Sequence, residues 1–277
     1  MANNFTVKLV IFLIFCFFWY LTPLSTYVLN GIVYLIPRYL DIQIGEAATS
    51  LQRYRQVTQY NNRLTRIGNN IVNALPFDLT SGYKFEFKCI DEDFVNAFAF
   101  PGGKIYITDE LIQDLETTDD ELAAILAHEV GHVVHRHSIK GIVEKSAVTL
   151  AWQAIFYVDD DDHEESYGEA IGELLVKNAA LFASLTFSRA HEYQADLEGW
   201  QALVKSAGYN PMGMISVFEK LLQLEPIGRD GKTHWDQTHP GTKDRIDKLM
   251  SICGNKCLNR SRVYLKESNR RQPNAEL

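Results

Sequence analysis

The chain has 277 residues, 46% of them hydrophobic, with 27 basic and 35 acidic side chains and a net charge of −8. That length buries a sizeable core, the composition is that of an ordinary folded protein, and the acidic balance gives no footing for a nucleic-acid partner.

Leu9 to Pro37 carry no charged side chain, and Leu9-Val-Ile-Phe-Leu-Ile-Phe-Cys-Phe-Phe-Trp-Tyr-Leu21 runs up to Thr22-Pro23. The stretch is long enough to span a bilayer. It exceeds a signal-peptide core and lacks a small-x-small cleavage site, and bulky Phe15 precedes Cys16 where a lipoprotein would have a small residue. Residues 1–39 are therefore expected to be an uncleaved anchor with one transmembrane helix over about residues 9–30. Lys8 and the amino terminus compete with Arg38 in setting orientation, and the domain after the anchor is expected outside the cytoplasm.

After the anchor, Leu51, Tyr54, Val57, Tyr60, Leu64, Ile67, Ile71 and Leu75 recur at three- and four-residue intervals, which predicts one long amphipathic helix. Tyr83–Ile90 and Val95–Ile107 are rich in aromatic and β-branched residues and are interrupted at Pro101-Gly102-Gly103, the pattern of short antiparallel strands with a tight turn. A strand beside an active site offers unpaired backbone groups to an extended peptide. Asn96, Ala97, Phe98 and Ala99 are the candidates for that contact, and the alternative is that the hairpin only packs the core through Phe94, Phe98, Phe100 and Tyr106.

The sharpest signal is Thr118-Asp-Asp-Glu-Leu-Ala-Ala-Ile-Leu-Ala-His128-Glu129-Val-Gly-His132. Thr118 and Glu121 have capping-box spacing, and Asp119, Asp120 and Glu121 suit the positive end of a helix dipole. On that helix His128 and His132 share a face and can offer two imidazoles to one zinc ion, while Glu129 serves as general base toward water. His-Arg-His at 135–137 reads as continuing the same rod, which puts His137 at another axial level. His135, His137, His163, His191 and His234 are set aside as non-ligands.

The best candidate for a third ligand lies in Ser188-Arg-Ala-His-Glu192-Tyr-Gln-Ala-Asp196, in a helix with a basic last turn and Gly208 beyond it; by itself E-x-x-x-D also reads as the solvated face of an amphipathic helix. Glu192 can complete the metal set, and Asp196, one turn on, can accept the outer N–H of a ligand histidine. Between the two helices, Asp159–Glu165 is an acidic loop tip or a lid. Asn210-Pro211 starts a further helix to about Leu224. Cys253 and Cys257 would close a short disulfide in an oxidising compartment or remain two thiols, and the tail 261–277 is polar. None of the four cysteines has a convincing nucleophile setting.

These blocks, together with Asp41-Ile-Gln-Ile-Gly45, Asn96-Ala-Phe-Ala-Phe-Pro101-Gly-Gly-Lys-Ile-Tyr-Ile107, Phe187-Ser-Arg189, Thr238-His239-Pro240 and Arg245-Ile246, resemble the HtpX and BepA-type zinc metallopeptidases. Those are gluzincins related to the CAAX prenyl endopeptidases. The resemblance covers roughly residues 40–252 and implies a mainly helical α+β, zincin-like catalytic domain, here bounded as 40–260, with a small antiparallel sheet carrying the substrate-binding edge strand. It implies one Zn²⁺ per chain, held by His128, His132 and Glu192. By the same resemblance His239 either donates to the oxyanion or occupies a fourth zinc position at rest, and Arg245 anchors Asp196 or the ligand shell.

The expected protein is a single-pass zinc endopeptidase of a bacterial inner membrane, with its catalytic domain on the extracytoplasmic side. Its expected substrates are misfolded or membrane-proximal proteins, met as unfolded or extended polypeptides, and its expected role is envelope protein quality control. A zinc-dependent chaperone or adaptor that binds unfolded chains without cutting them is the alternative, and a scaffold with structural zinc is a third reading. The chain has neither the helical repeats of BepA-type relatives nor the several spans of HtpX.

Overall fold

The computed structural model describes residues 4–21, 24–145, 186–205, 208–224 and 233–253. The acidic run 159–165, His163, Cys257 and the polar tail lie outside the described residues, and so does the pairing expected of Cys253 with Cys257.

The uncharged N-terminal stretch is divided between α1 (Asn4–Leu21) and α2 (Leu24–Leu35). Among the described residues no helix is long and apolar enough to cross a membrane, and residues 22–23, within the span expected over about residues 9–30, lie outside the described residues.

The helix predicted from Leu51 to Leu75 is broken. Helix α3 (Arg38–Leu51) ends where the series begins. The chain then runs extended, with Gln56 bridged to Ile90 and Val57 N–H donating to Cys89 O at 2.9 Å. Helix α4 (Asn61–Ala74) follows a 3-10 turn at Thr58–Tyr60. Pairing with a strand edge satisfies the backbone of residues 55–57, and that tertiary gain overrides a local periodicity that favours helix. A short α5 (Phe77–Thr80) leads to the sheet.

The sheet is small and mixed. Strands β1 (Glu86–Ile90), β2 (Ala97–Ala99) and β3 (Lys104–Thr108) lie in the order β1-β3-β2. β2 and β3 form the expected antiparallel pair around Pro101–Gly103, but β1 runs parallel to β3, which corrects the all-antiparallel sheet read from sequence. The reason is placement: β3 occupies the centre, so β1 and β3 both run opposite to β2. The stretch containing β2 supplies the long crossover that a parallel neighbour requires.

After α6 (Asp109–Gln113), helix α7 (Asp119–Val134) forms the axis of the molecule. Its predicted capping box is present: Glu121 N–H donates to Thr118 Oγ1 at 3.3 Å, and Thr118 N–H donates to Glu121 Oε2 at 2.9 Å. Every residue from Glu121 to Val134 is buried, so the helix is wrapped on all sides rather than along one stripe. Its wrapping comes from α4, the sheet, α8 (Arg189–Lys205) and α9 (Met212–Leu221), with α10 (His234–Thr238) and α11 (Thr242–Cys253) closing one side.

Two glycines let α7 and α8 approach backbone to backbone. A Cβ on Gly131 would meet Ala195 O at 2.8 Å, and one on Gly199 would meet the Ala127 carbonyl carbon at 2.9 Å. The close crossing brings the first turns of α8 onto the histidine face of α7. A second, smaller apolar cluster joins Leu29 and Val33 of α2 and Ile44 and Ala48 of α3 to Phe100, Tyr106 and Ile139. Arg136 ties this flank to the end of α7, with bidentate bonds to Asp41 at 2.6 and 2.8 Å and a bond to Val33 O at 2.6 Å. The result is a mainly helical α+β fold.

Candidate metal centre

His128 and His132 lie one turn apart on α7, and both are fully buried. Glu192 enters from the first turn of α8 and His239 from the residue that caps α10. One donor atom from each of the four falls within 4.8 Å of every other.

The separations are short. His128 Nε2 lies 3.0 Å from His132 Nε2, 3.3 Å from His239 Nδ1 and 3.4 Å from Glu192 Oε2. Glu192 Oε1 lies 3.3 Å from His132 Nε2, and Glu192 Oε2 lies 3.3 Å from His239 Nδ1. A tetrahedral ion about 2.0–2.1 Å from its donors would hold them about 3.3 Å apart. The donor types and spacing fit zinc.

His239 is fixed by its surroundings. Its backbone N–H donates to Trp235 O at 2.7 Å, and its ring stacks on Trp235 with centroids 4.4 Å apart. Nε2 donates to Ala97 O at 3.2 Å, which leaves the Nδ1 lone pair facing His128 and Glu192. In this arrangement His239 stands at the fourth corner of the donor set rather than beside it.

Glu129 is fully buried, with Oε1 3.5 Å from His239 Nε2 and, among the described residues, neither oxygen hydrogen-bonded. Burial pushes its carboxyl up, opposed by His239 and His128. A carboxylate raised this way can both take and return a proton.

Arg245 makes one flank of the site strongly charged. Its Nε and Nη2 each donate to Asp196 at 2.7 Å, and its guanidinium lies over Phe218. Nη1 stands 2.7 Å from Glu192 Oε2, an ion pair by distance whose angles do not make a hydrogen bond. Burial opposes ionisation of Glu192 and Asp196, but Arg245 foremost holds both below the usual carboxylate range. Asp196 Oδ1 also accepts from His128 Nδ1 at 2.9 Å. Burial and Arg245 disfavour a proton on His128, yet Asp196 and Glu192 outweigh them and hold its pKa up to about 9. His132, across the site, is pushed by burial down to about 3.

Residues 58–252 match Peptidase family M48. The chain belongs to that family. It is 36% identical to the mitochondrial metalloendopeptidase OMA1 of Arabidopsis thaliana over 170 residues, 61% of this chain and 32% of that protein. It is 30% identical to the metalloprotease LoiP of Escherichia coli over 195 residues, 69% of this chain and 70% of LoiP. It is 28% identical to the beta-barrel assembly-enhancing protease of Yersinia pestis over 186 residues, 65% of this chain and 37% of that protein. The chain thus spans about a third of the length of the first and last of these relatives.

Within this M48 chain the structure gathers His128, Glu129, His132, Glu192, Asp196, His239 and Arg245 into one buried cluster. Phe187, from a motif block without an assigned role, stacks on His132 with centroids 4.1 Å apart. The proposed substrate contacts divide. β2 is a sheet edge among the described residues, and Asn96 N–H and O are engaged with Thr108, so the Ala97 and Ala99 backbone groups point outward. Three of those outward groups are taken: Ala97 O by His239, Ala99 O by Ser138 Oγ at 3.3 Å, and Ala97 N–H by Asn96 Oδ1 at 2.9 Å. The same Asn96 Oδ1 also accepts from Thr238 Oγ1 at 3.3 Å, so the Asn96 side chain lies along the outer edge of β2.

His137 is the main residue that sequence reasoning misplaced. α7 does not continue through it: the helix stops at Val134, Arg136 adopts φ 57°, and helical residues 137–145 start anew. That reversal returns His137 to the level of His132, with ring centroids 4.9 Å apart. The positive φ at a non-glycine residue is not written in any local signal.

Proposed function

We propose that the chain is a zinc-dependent endopeptidase, and the observation that carries the reading is the four-donor set closed around a single point beside the buried Glu129. His128, His132 and Glu192 would hold the metal, with His239 at the fourth position at rest. Bound zinc supplies Lewis acidity to the attacking water and the scissile carbonyl.

Glu129 takes the proton of that water at a carboxylate oxygen and returns it to the leaving amine. His239, once it leaves the donor set, presents an N–H to the carbonyl oxygen as negative charge builds there. Asp196 fixes the tautomer of His128 through Nδ1, and Arg245 keeps Asp196 and Glu192 ionised. An extended substrate would pair with the outward groups of Ala97 and Ala99, which requires His239 and Ser138 to release the two carbonyls and the Asn96 side chain to release Ala97 N–H. The motif set of a zincin-like domain over residues 40–260 supports that pose.

The substrates we propose are unfolded or membrane-proximal polypeptides, and the N-terminal residues 1–39 are the membrane-associating part. Val10, Ile11, Leu13 and Ile14 of α1 are exposed apolar side chains, which supports that placement. The family relatives carry metalloprotease names, which supports the chemistry.

The test is cleavage of casein by the full zinc-loaded chain, wild type against Glu129→Gln at matched zinc content. Loss of a general base is expected to lower turnover by about 10²–10⁴-fold. Equal cleavage by both proteins would remove Glu129 from the mechanism. No cleavage by either, with zinc bound, would return the chain to the binding-only reading.

A further inference from the structure

One line of hydrogen bonds leaves the donor set through uncharged groups alone. His132 Nδ1 lies 2.9 Å from His137 Nδ1, and His137 Nε2 lies 3.0 Å from Gln194 Oε1. An amide oxygen only accepts, so His137 Nε2 carries the proton. A neutral imidazole protonated at Nε2 offers Nδ1 as an acceptor, and His132 Nδ1 must then donate. His132 is left with its lone pair on Nε2, the atom 3.0 Å from His128 Nε2 and 3.3 Å from Glu192 Oε1.

The surroundings hold His137 in this role. Its ring is buried and meets His132 edge-on, while His191 stacks on it with centroids 4.4 Å apart. Gln194, by contrast, is an exposed residue of α8. It contributes little to the core, so its hydrogen bond to His137 is the contact that needs explaining. The same turn of α8 carries Glu192 to the metal centre and Gln194 to His137.

We propose that His137, backed by Gln194, is a positioning residue that holds His132 in the tautomer whose Nε2 lone pair faces the metal. This rests on the reading of His132 as a zinc ligand. Reversing the Gln194 amide would send the proton the other way and leave an N–H on His132 Nε2, which cannot bind a cation. A glutamate at position 194 removes that option, because both of its oxygens accept.

The experiment measures zinc affinity of the full chain by chelator competition, with ¹⁵N shifts of the histidine rings reporting tautomers in the metal-free protein. His137→Phe is expected to weaken zinc binding by about 10–100-fold, as losses of outer ligand partners do. Gln194→Leu is expected to weaken it less, and Gln194→Glu to restore at least the wild-type value, with metal-free melting temperatures unchanged at this exposed position. The wild-type ring shifts should place the His132 proton on Nδ1.

Wild-type affinity in both Gln194→Leu and folded His137→Phe would overturn the proposal, as would a His132 proton on Nε2. If His137→Phe does not fold, the Gln194 pair and the ring shifts decide. His132→Ala, measured alongside, separates the two readings. Zinc retained at wild-type affinity there would sink the ligand assignment, whereas zinc lost there but kept in the position 137 and 194 variants overturns the positioning role alone.

Discussion

The two histidines of α7 face the same point from opposite flanks, and the flanks are built from different chemistry. His128 is backed by Asp196 and Arg245, a fully ionised set in which one guanidinium serves two carboxylates. His132 is backed by His137 and Gln194, which carry no formal charge, and by the ring of Phe187. Both flanks leave an Nε2 atom turned inward. The charged flank does so with strong interactions that require exact pairing in a dry interior, while the neutral flank does so through hydrogen-bond direction alone. Their sensitivity to substitution should therefore differ in size and in kind.

The largest effect is expected on the charged flank. Arg245→Leu strands the Glu192 and Asp196 carboxylates, buried and without their cation, and should cost about 3–5 kcal/mol of metal-free stability in denaturant unfolding. Zinc should recover part of that loss, since a cation at the centre again neutralises Glu192. A loss below about 1 kcal/mol would mean that the flank is solvated or its carboxylates neutral, and the contrast would collapse.

Gly199→Ala probes the helix spacing that both flanks share. Its Cβ would press on the Ala127 carbonyl and on His128 N, both about 3 Å away. Overpacking of this kind costs about 1–3 kcal/mol and should lower zinc affinity together with melting temperature. Affinity unchanged at reduced stability would show that the donors tolerate a wider crossing.

The smallest effect belongs to Thr118→Ala. It removes a cap at the far end of α7 and should cost about 1 kcal/mol, read by thermal unfolding. Zinc affinity should not move, because neither flank touches the cap.

Much of the site was legible in the chain. His128, Glu129 and His132 follow from helical spacing behind a capping box, and Glu192 and Asp196 from the same spacing in a second helix, because i and i+4 geometry is a property of one rod. Asn61–Ala74 was likewise predicted as helix, but its extension back to Leu51 was not sustained. Residues 55–57 lie within that helical periodicity and still pair with β1, since strand pairing is decided by what lies alongside.

What the sequence determined by itself is the local part: the caps, the helical faces, the turn at Pro101–Gly103 and the donor types for zinc. What only the tertiary structure decided is convergence. His239 reaches the fourth corner because α10 stacks it on Trp235, and Arg245 bridges two carboxylates from α11. β1 lies parallel to β3 because β3 takes the centre, and His137 turns back on His132 because Arg136 reverses the chain to meet Asp41. Each of these contacts joins groups far apart in sequence or across a break in a helix. Their formation depends on how closely backbones approach, and no local pattern of side chains encodes that distance.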